Sequence, residues 1–100
     1  MDKKLLKEQI KRHEGEVLEI YEDSLGYLTY GVGHLIKDSD DEYGLPVGTP
    51  VSQERVDDVY EYDFDKHVKE TKHVCETHNI DFDELPEKAQ HVLVNMCFNL

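Results

Sequence analysis

Apolar residues recur in two distinct patterns in the first third of the chain. Over residues 2–13 they fall on one face opposite a row of lysines, which predicts a short amphipathic helix. Gly15 follows this pattern as a natural helix stop. Residues 17–21 predict a first strand, and residues 28–33 alternate large and small side chains as a second strand does after a turn. The glycines on one face of the second strand leave room for another backbone or a ligand.

A long helical pattern begins at Ser52, which is a favourable N-cap residue. Val51 and Val56 occupy the two positions of a hydrophobic staple around this cap. Apolar residues continue at helical spacing to about His78, with Asn79 as the expected end. The predicted helix has about seven turns and a length of roughly 40 Å. A helix this long in so short a chain usually bridges two lobes.

The remaining segments predict a loop and a final helix. Residues 37–50 combine acidic residues with glycine and proline, and so predict a surface loop. Pro86 suits the first turn of a last helix, and the residues from His91 to Leu100 are apolar on nearly every side. Such a helix is expected to be buried all round, yet little of the chain remains to cover it.

The charge excludes several classes of partner. The chain has 100 residues, with 11 Lys and Arg against 23 Asp and Glu, and a net charge of −12. A simple nucleic-acid binder needs a surplus of basic residues, and an anionic membrane repels an acidic protein. No apolar run approaches the roughly 18 residues of a membrane span, and the charged start of the chain predicts no signal peptide. We therefore expect neither nucleic acid nor membrane as a partner.

The cysteine and histidine positions predict neither a disulfide nor a metal site. Cys75 and Cys97 are too few for a disulfide scaffold and suggest a reducing compartment, with two half-buried thiols favoured over a bridge. Cys75 and His78 share a helix face, but no second pair stands at metal-ligand spacing. The acidic residues of 37–50 match a calcium loop poorly, because Tyr43 stands where glycine is needed. We expect a solvated acidic loop, no metal and no cofactor.

Three side chains near the N-terminus have the chemistry of a glycosidase. Glu14 ends the first predicted helix, Asp23 lies in the turn, and Thr29 lies on the small-residue face of the returning strand. One carboxyl group of such a pair protonates the leaving oxygen, and the other directs the attacking water. By spacing alone the pattern is weak, because most of the 23 acidic residues are expected to be solvated surface charges.

The segment from His13 to Ile36 resembles the catalytic segment of the phage-type lysozymes, the muramidase family of T-even and lambdoid tailed phages. The matching positions are Glu14, Gly15, Tyr21, Asp23, Gly26, Tyr27, Thr29, Gly31, Gly33 and His34. The resemblance continues more loosely through residues 52–68 and 93–100, which are similar to the inter-lobe helix and a core helix of that family.

This resemblance implies a role for each matching residue. Glu14 is then the general acid, Asp23 orients and activates a water molecule, and Thr29 holds that water by a hydrogen bond. Tyr27 and Gly33 are expected to contact the glycan. The implied reaction is hydrolysis, with inversion, of the β-1,4 bond between N-acetylmuramic acid and N-acetylglucosamine in bacterial peptidoglycan.

The resemblance also implies the architecture. It predicts an α+β, lysozyme-like fold with a small antiparallel sheet, flanking helices and a long inter-lobe helix, and a structural ion pair between His34 and Asp63. Residues 1–51 are expected to form the catalytic lobe, 52–79 the connecting helix and 80–100 the start of a helical lobe. Together they form one incomplete domain, because the family continues further.

Two expectations follow from the departures from the family. The helix at 86–100 is expected to be covered by a second chain or another copy of this one. Members of the family are generally basic, whereas this chain has a net charge of −12, so attraction to the wall becomes repulsion unless salt screens it.

The resemblance places the protein in the cytoplasm of the phage's host until it is released to the cell wall.

Two other readings of the sequence remain. In the first, the chain is an inactive half-domain that acts as a binding or assembly module and needs a second chain to complete the fold. In the second, which fits the catalytic segment less well, the chain is an acidic inhibitor that mimics nucleic acid.

Overall fold

A computed structural model describes residues 2–98 of the chain. It contains three helices and a small antiparallel sheet of three strands, which confirms the predicted α+β class. In chain order the elements are α1 (Lys3–Glu14), β1 (Val17–Glu22), β2 (Leu28–Gly31), β3 (His34–Leu35), α2 (Gln53–Thr77), a 3-10 turn (Phe82–Glu84) and α3 (Glu87–Phe98).

Helix α1 is defined at both ends by local hydrogen bonds. The Asp2 side chain accepts a hydrogen bond from the backbone N–H of Leu5 at 3.0 Å and so caps the first turn. At the other end Gly15 adopts a φ of +81°, and its N–H donates to the Lys11 carbonyl at 2.8 Å. The helix therefore ends immediately after Glu14, as the glycine predicted.

The sheet has the order β1-β2-β3, and both strand pairs are antiparallel. Val17 lies opposite Gly31, and Tyr21 lies opposite Thr29. Four residue steps on β1 therefore match two on β2, so β1 carries two extra residues as a bulge. The two-residue strand β3, which the hydrophobic pattern did not reveal, adds the third strand.

The outer edge of β1 pairs with residues 48–51. Ile20 donates its N–H to the Thr49 carbonyl at 3.0 Å, and the Val51 N–H donates to the Leu18 carbonyl at 3.0 Å. The prediction of a surface loop over residues 37–50 therefore holds for its turns but not for its final residues, which extend the sheet. These contacts join residues about 30 positions apart, so local composition could not indicate them.

Helix α2 begins and ends as its sequence predicts. The Ser52 hydroxyl accepts a hydrogen bond from the Arg55 N–H at 3.1 Å. After the last turn Asn79 adopts a left-handed φ of +59°, and the Ile80 N–H donates to the Cys75 carbonyl at 2.8 Å. This is the Schellman ending, in which asparagine is one of the residues that tolerate the left-handed position.

The long helix contributes to two separate clusters of buried side chains. Near its start Val56 packs with Ile20, Tyr30 and Val51, which unites the helix with the sheet. The second cluster joins α2 to α1 and α3 and consists of Leu6, Ile10, Val32, Tyr60, Phe64, Cys75, Phe82 and Val94. Helix α2 therefore connects a sheet-bearing unit to a helical unit.

Helix α3 is only partly covered by the rest of the described chain. Gln90 and Val94 are its buried residues, and Gln90 donates its side-chain N–H to the Phe82 carbonyl at 2.8 Å. Val92 and Met96 are 52% and 56% exposed. The expected burial on every side is not met within residues 2–98, because α3 packs on one side only; residues 99–100 of the predicted helix lie outside the described residues.

Both cysteines are free thiols, and Cys97 is half-buried as predicted, whereas Cys75 is fully buried. Among the described helices, none combines the length and the apolar character that crossing a bilayer requires.

Candidate active site

Glu14 occupies the junction between α1 and the sheet. It is the last residue of α1 and is half-buried, with Gly15 turning the chain away behind it. Its Oε1 atom is fully buried and makes no hydrogen bond to any described residue. A buried carboxyl oxygen without a partner is costly. This atom therefore has an unused capacity for a hydrogen bond within the described protein.

Asp23 is held rigidly in the turn that connects β1 and β2. Its Oδ1 accepts hydrogen bonds from the backbone N–H groups of Leu25 and Tyr27, each at 2.9 Å. The backbone N–H of Asp23 also donates to the Tyr27 carbonyl at 2.9 Å. Within the described part of the chain its Oδ2 has no hydrogen-bond partner. One carboxylate oxygen thus fixes the orientation, and the other remains free to accept a proton or a hydrogen bond.

Thr29 is buried on β2 and faces Tyr21 across the strand pair. Its hydroxyl donates to the carbonyl of Tyr27 at 3.2 Å. A hydroxyl group that donates its only proton keeps two lone pairs as acceptors. Thr29 can therefore accept a hydrogen bond from a water molecule in front of the strand.

The three residues make no direct hydrogen bond to one another, but Tyr21 lies in the field of both carboxylates. Burial raises the pKa of the Tyr21 phenol, and the charges of Asp23 and Glu14 raise it further. The Tyr60 pKa is raised by burial and by Glu14 as well. Both carboxylates are thus close enough to Tyr21 to act on its phenol.

The two residues expected to contact a glycan both lie at exposed turns. Tyr27 is 56% exposed and follows Asp23 in the β1–β2 turn. Gly33 is exposed in the turn between β2 and β3, with a φ of +67° and open space where a side chain would project. Both positions are therefore accessible to a ligand.

Gly31, by contrast, leaves room for a helix and not for a ligand. A Cβ atom built on it lies 3.2 Å from Cγ1 of Val56 on α2. The small residue on this strand therefore allows α2 to pack closely against the sheet through the Val56 side chain, which is neither the backbone nor the ligand that the sequence suggested.

His34 lies between two carboxylates. Its Nδ1 is 2.7 Å from Oδ2 of Asp63 on α2, which is the expected partner. Its Nε2 is 2.9 Å from Oδ2 of Asp40, a residue of the acidic loop whose contact with His34 the sequence did not indicate. Burial lowers the pKa of His34, but the hydrogen bonds to Asp63 and Asp40 outweigh it and raise the pKa above 6.5. Both ring nitrogens face carboxylate oxygens, an arrangement that favours the imidazolium, the form that donates from both nitrogens.

A second polar group lies beside this histidine. Tyr30 stacks on the His34 ring with centroids 5.1 Å apart, and donates its hydroxyl to Glu42 Oε1 at 2.9 Å. Arg55 donates to both carboxylate oxygens of Glu42, at 3.0 and 3.1 Å. Burial raises the pKa of Glu42, but Arg55 and Tyr30 outweigh it and lower the pKa.

We call these side chains the loop network, formed by Tyr30, His34, Asp40, Glu42, Arg55 and Asp63. It fastens the acidic loop to α2 and to the sheet. The prediction that this loop is simply solvated is wrong for Glu42, which is only 9% exposed. Its burial is possible because Arg55 and Tyr30 satisfy the carboxylate, a contact between segments that composition does not indicate.

Metal-binding geometry does not occur in the described range 2–98, where no three potential ligands of the His, Cys, Asp and Glu types converge.

Two comparisons with known proteins identify relatives of the chain. The family described as "Phage lysozyme" matches residues 11–100. A 31-residue segment is 55% identical to "Probable T4-type lysozyme 1" of Dictyostelium discoideum, an alignment that covers 31% of this chain and 18% of that protein. The family match spans nine-tenths of the chain, includes Glu14, Asp23 and Thr29, and extends through α2 and α3. The chain therefore belongs to the phage lysozyme family.

Proposed function

We propose that this protein is an endolysin-type glycoside hydrolase that cleaves the β-1,4 bond between N-acetylmuramic acid and N-acetylglucosamine in bacterial peptidoglycan. The observation that carries the proposal is that two carboxylates in different settings, Glu14 at the end of α1 and Asp23 in the β1–β2 turn, both act on Tyr21. Glu14 presents a buried oxygen without a partner, and Asp23 presents one free oxygen from a rigid turn.

The two environments suit two different roles. Glu14 acts as the general acid, and its proton passes to the glycosidic oxygen as the bond to the anomeric carbon breaks. Asp23 accepts a proton from the attacking water, whose oxygen forms the new bond from the opposite face of the sugar. The configuration at the anomeric carbon is then inverted.

The decisive experiment measures the release of reducing ends from purified peptidoglycan. The wild type is expected to release them, and Glu14→Gln to abolish the activity by at least about a hundredfold, since general acid catalysis contributes roughly that much. Glu8→Gln is the matched control, because Glu8 is an exposed residue of the same helix. Activity retained in Glu14→Gln, or absent in the wild type, would contradict the proposal.

The stereochemistry has its own test. Proton NMR of the first product formed from a soluble glycan distinguishes the α from the β anomer before they equilibrate. The α anomer is expected, since the cleaved bond is β. A β product would show retention, and would assign Asp23 the role of a nucleophile.

A second candidate function rests on the uncovered side of α3. Val92 and Met96 expose more than half of their surface, so the described residues leave apolar surface unoccupied on this helix. We infer as the alternative that the chain is a half-domain that needs a second chain, or another copy of itself, to complete the fold. In that case the isolated chain is inert and elutes as an oligomer, and it gains activity when the completing helices are supplied.

A further inference from the structure

Tyr21 shares one face of the hairpin with both residues proposed to handle the attacking water. It lies directly opposite Thr29 in the antiparallel pair β1–β2, and directly opposed residues project to the same side. Asp23 follows two residues later, the interval at which side chains of an extended chain return to the same face. Register therefore places the phenol and the hydroxyl on one face, and the carboxylate in the adjoining turn is close enough to act on the phenol.

The Tyr21 hydroxyl also has no partner within the described protein. The two other tyrosines of this region are engaged, since Tyr30 donates to Glu42 at 2.9 Å and Tyr60 donates to the Lys7 carbonyl at 2.6 Å. Tyr21 is half-buried and makes no hydrogen bond to another described residue. Its O–H is therefore available to a ligand or a water molecule.

The hydrogen bonds of Asp23 and Thr29 leave these two residues with acceptors but no donor for an attacking water molecule. A water molecule has two protons and two lone pairs, and attack on the anomeric carbon uses one lone pair. Oδ2 of Asp23 can accept one proton. Thr29 can accept the other, but cannot donate in return, because its proton is already given to the Tyr27 carbonyl. The second lone pair of the water thus lacks a donor among these two residues.

We propose that Tyr21 is a further catalytic residue, whose hydroxyl donates a hydrogen bond to the attacking water held by Asp23 and Thr29. This completes a tetrahedral set of contacts that aims the remaining lone pair at the sugar. When the new carbon–oxygen bond forms, the proton of the water passes to Asp23, and the tyrosine keeps its own. The inference rests on the proposed glycosidase function.

The neighbouring charges keep Tyr21 in the form that this role requires. Burial and the carboxylates of Asp23 and Glu14 raise the pKa of its phenol. The group therefore remains protonated, as a donor, at any pH at which the wall is degraded. A tyrosinate could only accept a hydrogen bond.

The test compares Tyr21→Phe with the wild type and with Tyr62→Phe as the matched control. Tyr62 is 70% exposed on α2, and is assigned no part in catalysis. Tyr21→Phe removes one oxygen atom and leaves the ring to pack. We expect kcat on a soluble peptidoglycan fragment to fall about tenfold, the rate equivalent of one hydrogen bond, with KM unchanged. Tyr62→Phe is expected to keep both values.

A second measurement separates a catalytic role from a structural one. Tyrosine ring-carbon NMR follows the ionisation of Tyr21 in the whole chain. Asp23→Asn is expected to lower the Tyr21 pKa, because the charge of Asp23 helps to raise it. Tyr21→Phe with a normal kcat, a loss confined to KM, or a Tyr21 pKa that ignores Asp23→Asn would each overturn the inference. An inactive wild type would instead refute the proposed function on which it rests.

Discussion

Nδ1 of His34 lies 2.7 Å from Oδ2 of Asp63, a contact that ties strand β3 to the middle of helix α2. The ring is only 11% exposed, and its other nitrogen faces Asp40. An imidazolium between two carboxylates is a more favourable arrangement than either pair alone, since every donor finds an acceptor. The protonation of His34 is therefore coupled to the attachment of the acidic loop.

The first prediction concerns stability and pH. The folded-state pKa of His34 is raised, so its contribution to stability is fully present below about pH 6.5 and is lost as the pH rises through the folded-state pKa. His34→Gln is expected to lower the free energy of unfolding by about 1.5–3 kcal/mol near pH 5.5, and by less near pH 9. Urea unfolding of both proteins at the two pH values measures this.

At low pH, the free energy of unfolding depends on the ionisation of Asp40. Burial raises the Asp40 pKa, but hydrogen bonds from the Lys37 N–H and His34 outweigh it and lower the pKa below 3.8. This contribution is present above about pH 3.8 and is lost as the pH falls through the folded-state pKa. Equal pH dependence in the wild type and in His34→Gln would refute the coupling.

The second prediction concerns the pair of Arg55 and Glu42. Arg55→Ala leaves a nearly buried carboxylate with Tyr30 as its remaining side-chain donor. The free energy of unfolding is expected to fall by about 1.5–3 kcal/mol, the cost of hydrogen bonds to a charged group. Arg12→Ala serves as the control, because Arg12 is exposed and its loss is expected to change stability by less than about 0.5 kcal/mol. Equal effects would show that the loop network contributes nothing.

The third prediction compares two glycines. Both Gly31 and Gly26 have a positive φ, of +65° and +84°, so alanine at either position costs about 1–2 kcal/mol in backbone conformation. Gly31→Ala also crowds Val56, whereas Gly26 has open space around it. Thermal unfolding is expected to show the larger loss for Gly31→Ala, and Gly31→Ala is expected to cost less in a Val56→Ala background than in the wild type. An equal cost in the two backgrounds would mean that Val56 accommodates the added methyl group without strain.

The fourth prediction concerns salt. A chain with a net charge of −12 is repelled by an anionic cell wall, and this repulsion weakens as the Debye length falls from about 10 Å at 0.1 M to about 3 Å at 1 M. Provided that the glycosidase function holds, clearing of a wall suspension is expected to speed up with added sodium chloride. A rate that falls steadily with salt would contradict this.

The local elements were predictable because local chemistry determines them. The Ser52 cap, the Asn79 ending and the Gly15 stop are each set by one residue and its immediate neighbours, and all three occur where the sequence indicates. Strand β3 and the pairing of residues 48–51 with β1 were missed, since both depend on contacts between distant segments.

The residues of the candidate site were likewise predictable only where a local motif identifies them. Glu14 and Asp23 were singled out from a dense motif, whereas spacing alone did not separate them from the other acidic residues. The roles of Arg55, Asp40 and Glu42 could not be predicted, because each depends on a partner from another segment. A buried, paired acidic residue and a solvated one look identical in sequence.

The pairing of residues 48–51 with the outer edge of β1 has a consequence for association. A long unpaired strand edge offers backbone donors and acceptors to any other extended chain, and so promotes aggregation. Here β2 pairs with β1 at its ends, residues 48–51 cover the outer edge of β1 at Leu18 and Ile20, and the opposite edge of the sheet is formed by a strand of only two residues. The sheet of this acidic protein therefore presents little template for intermolecular strand addition.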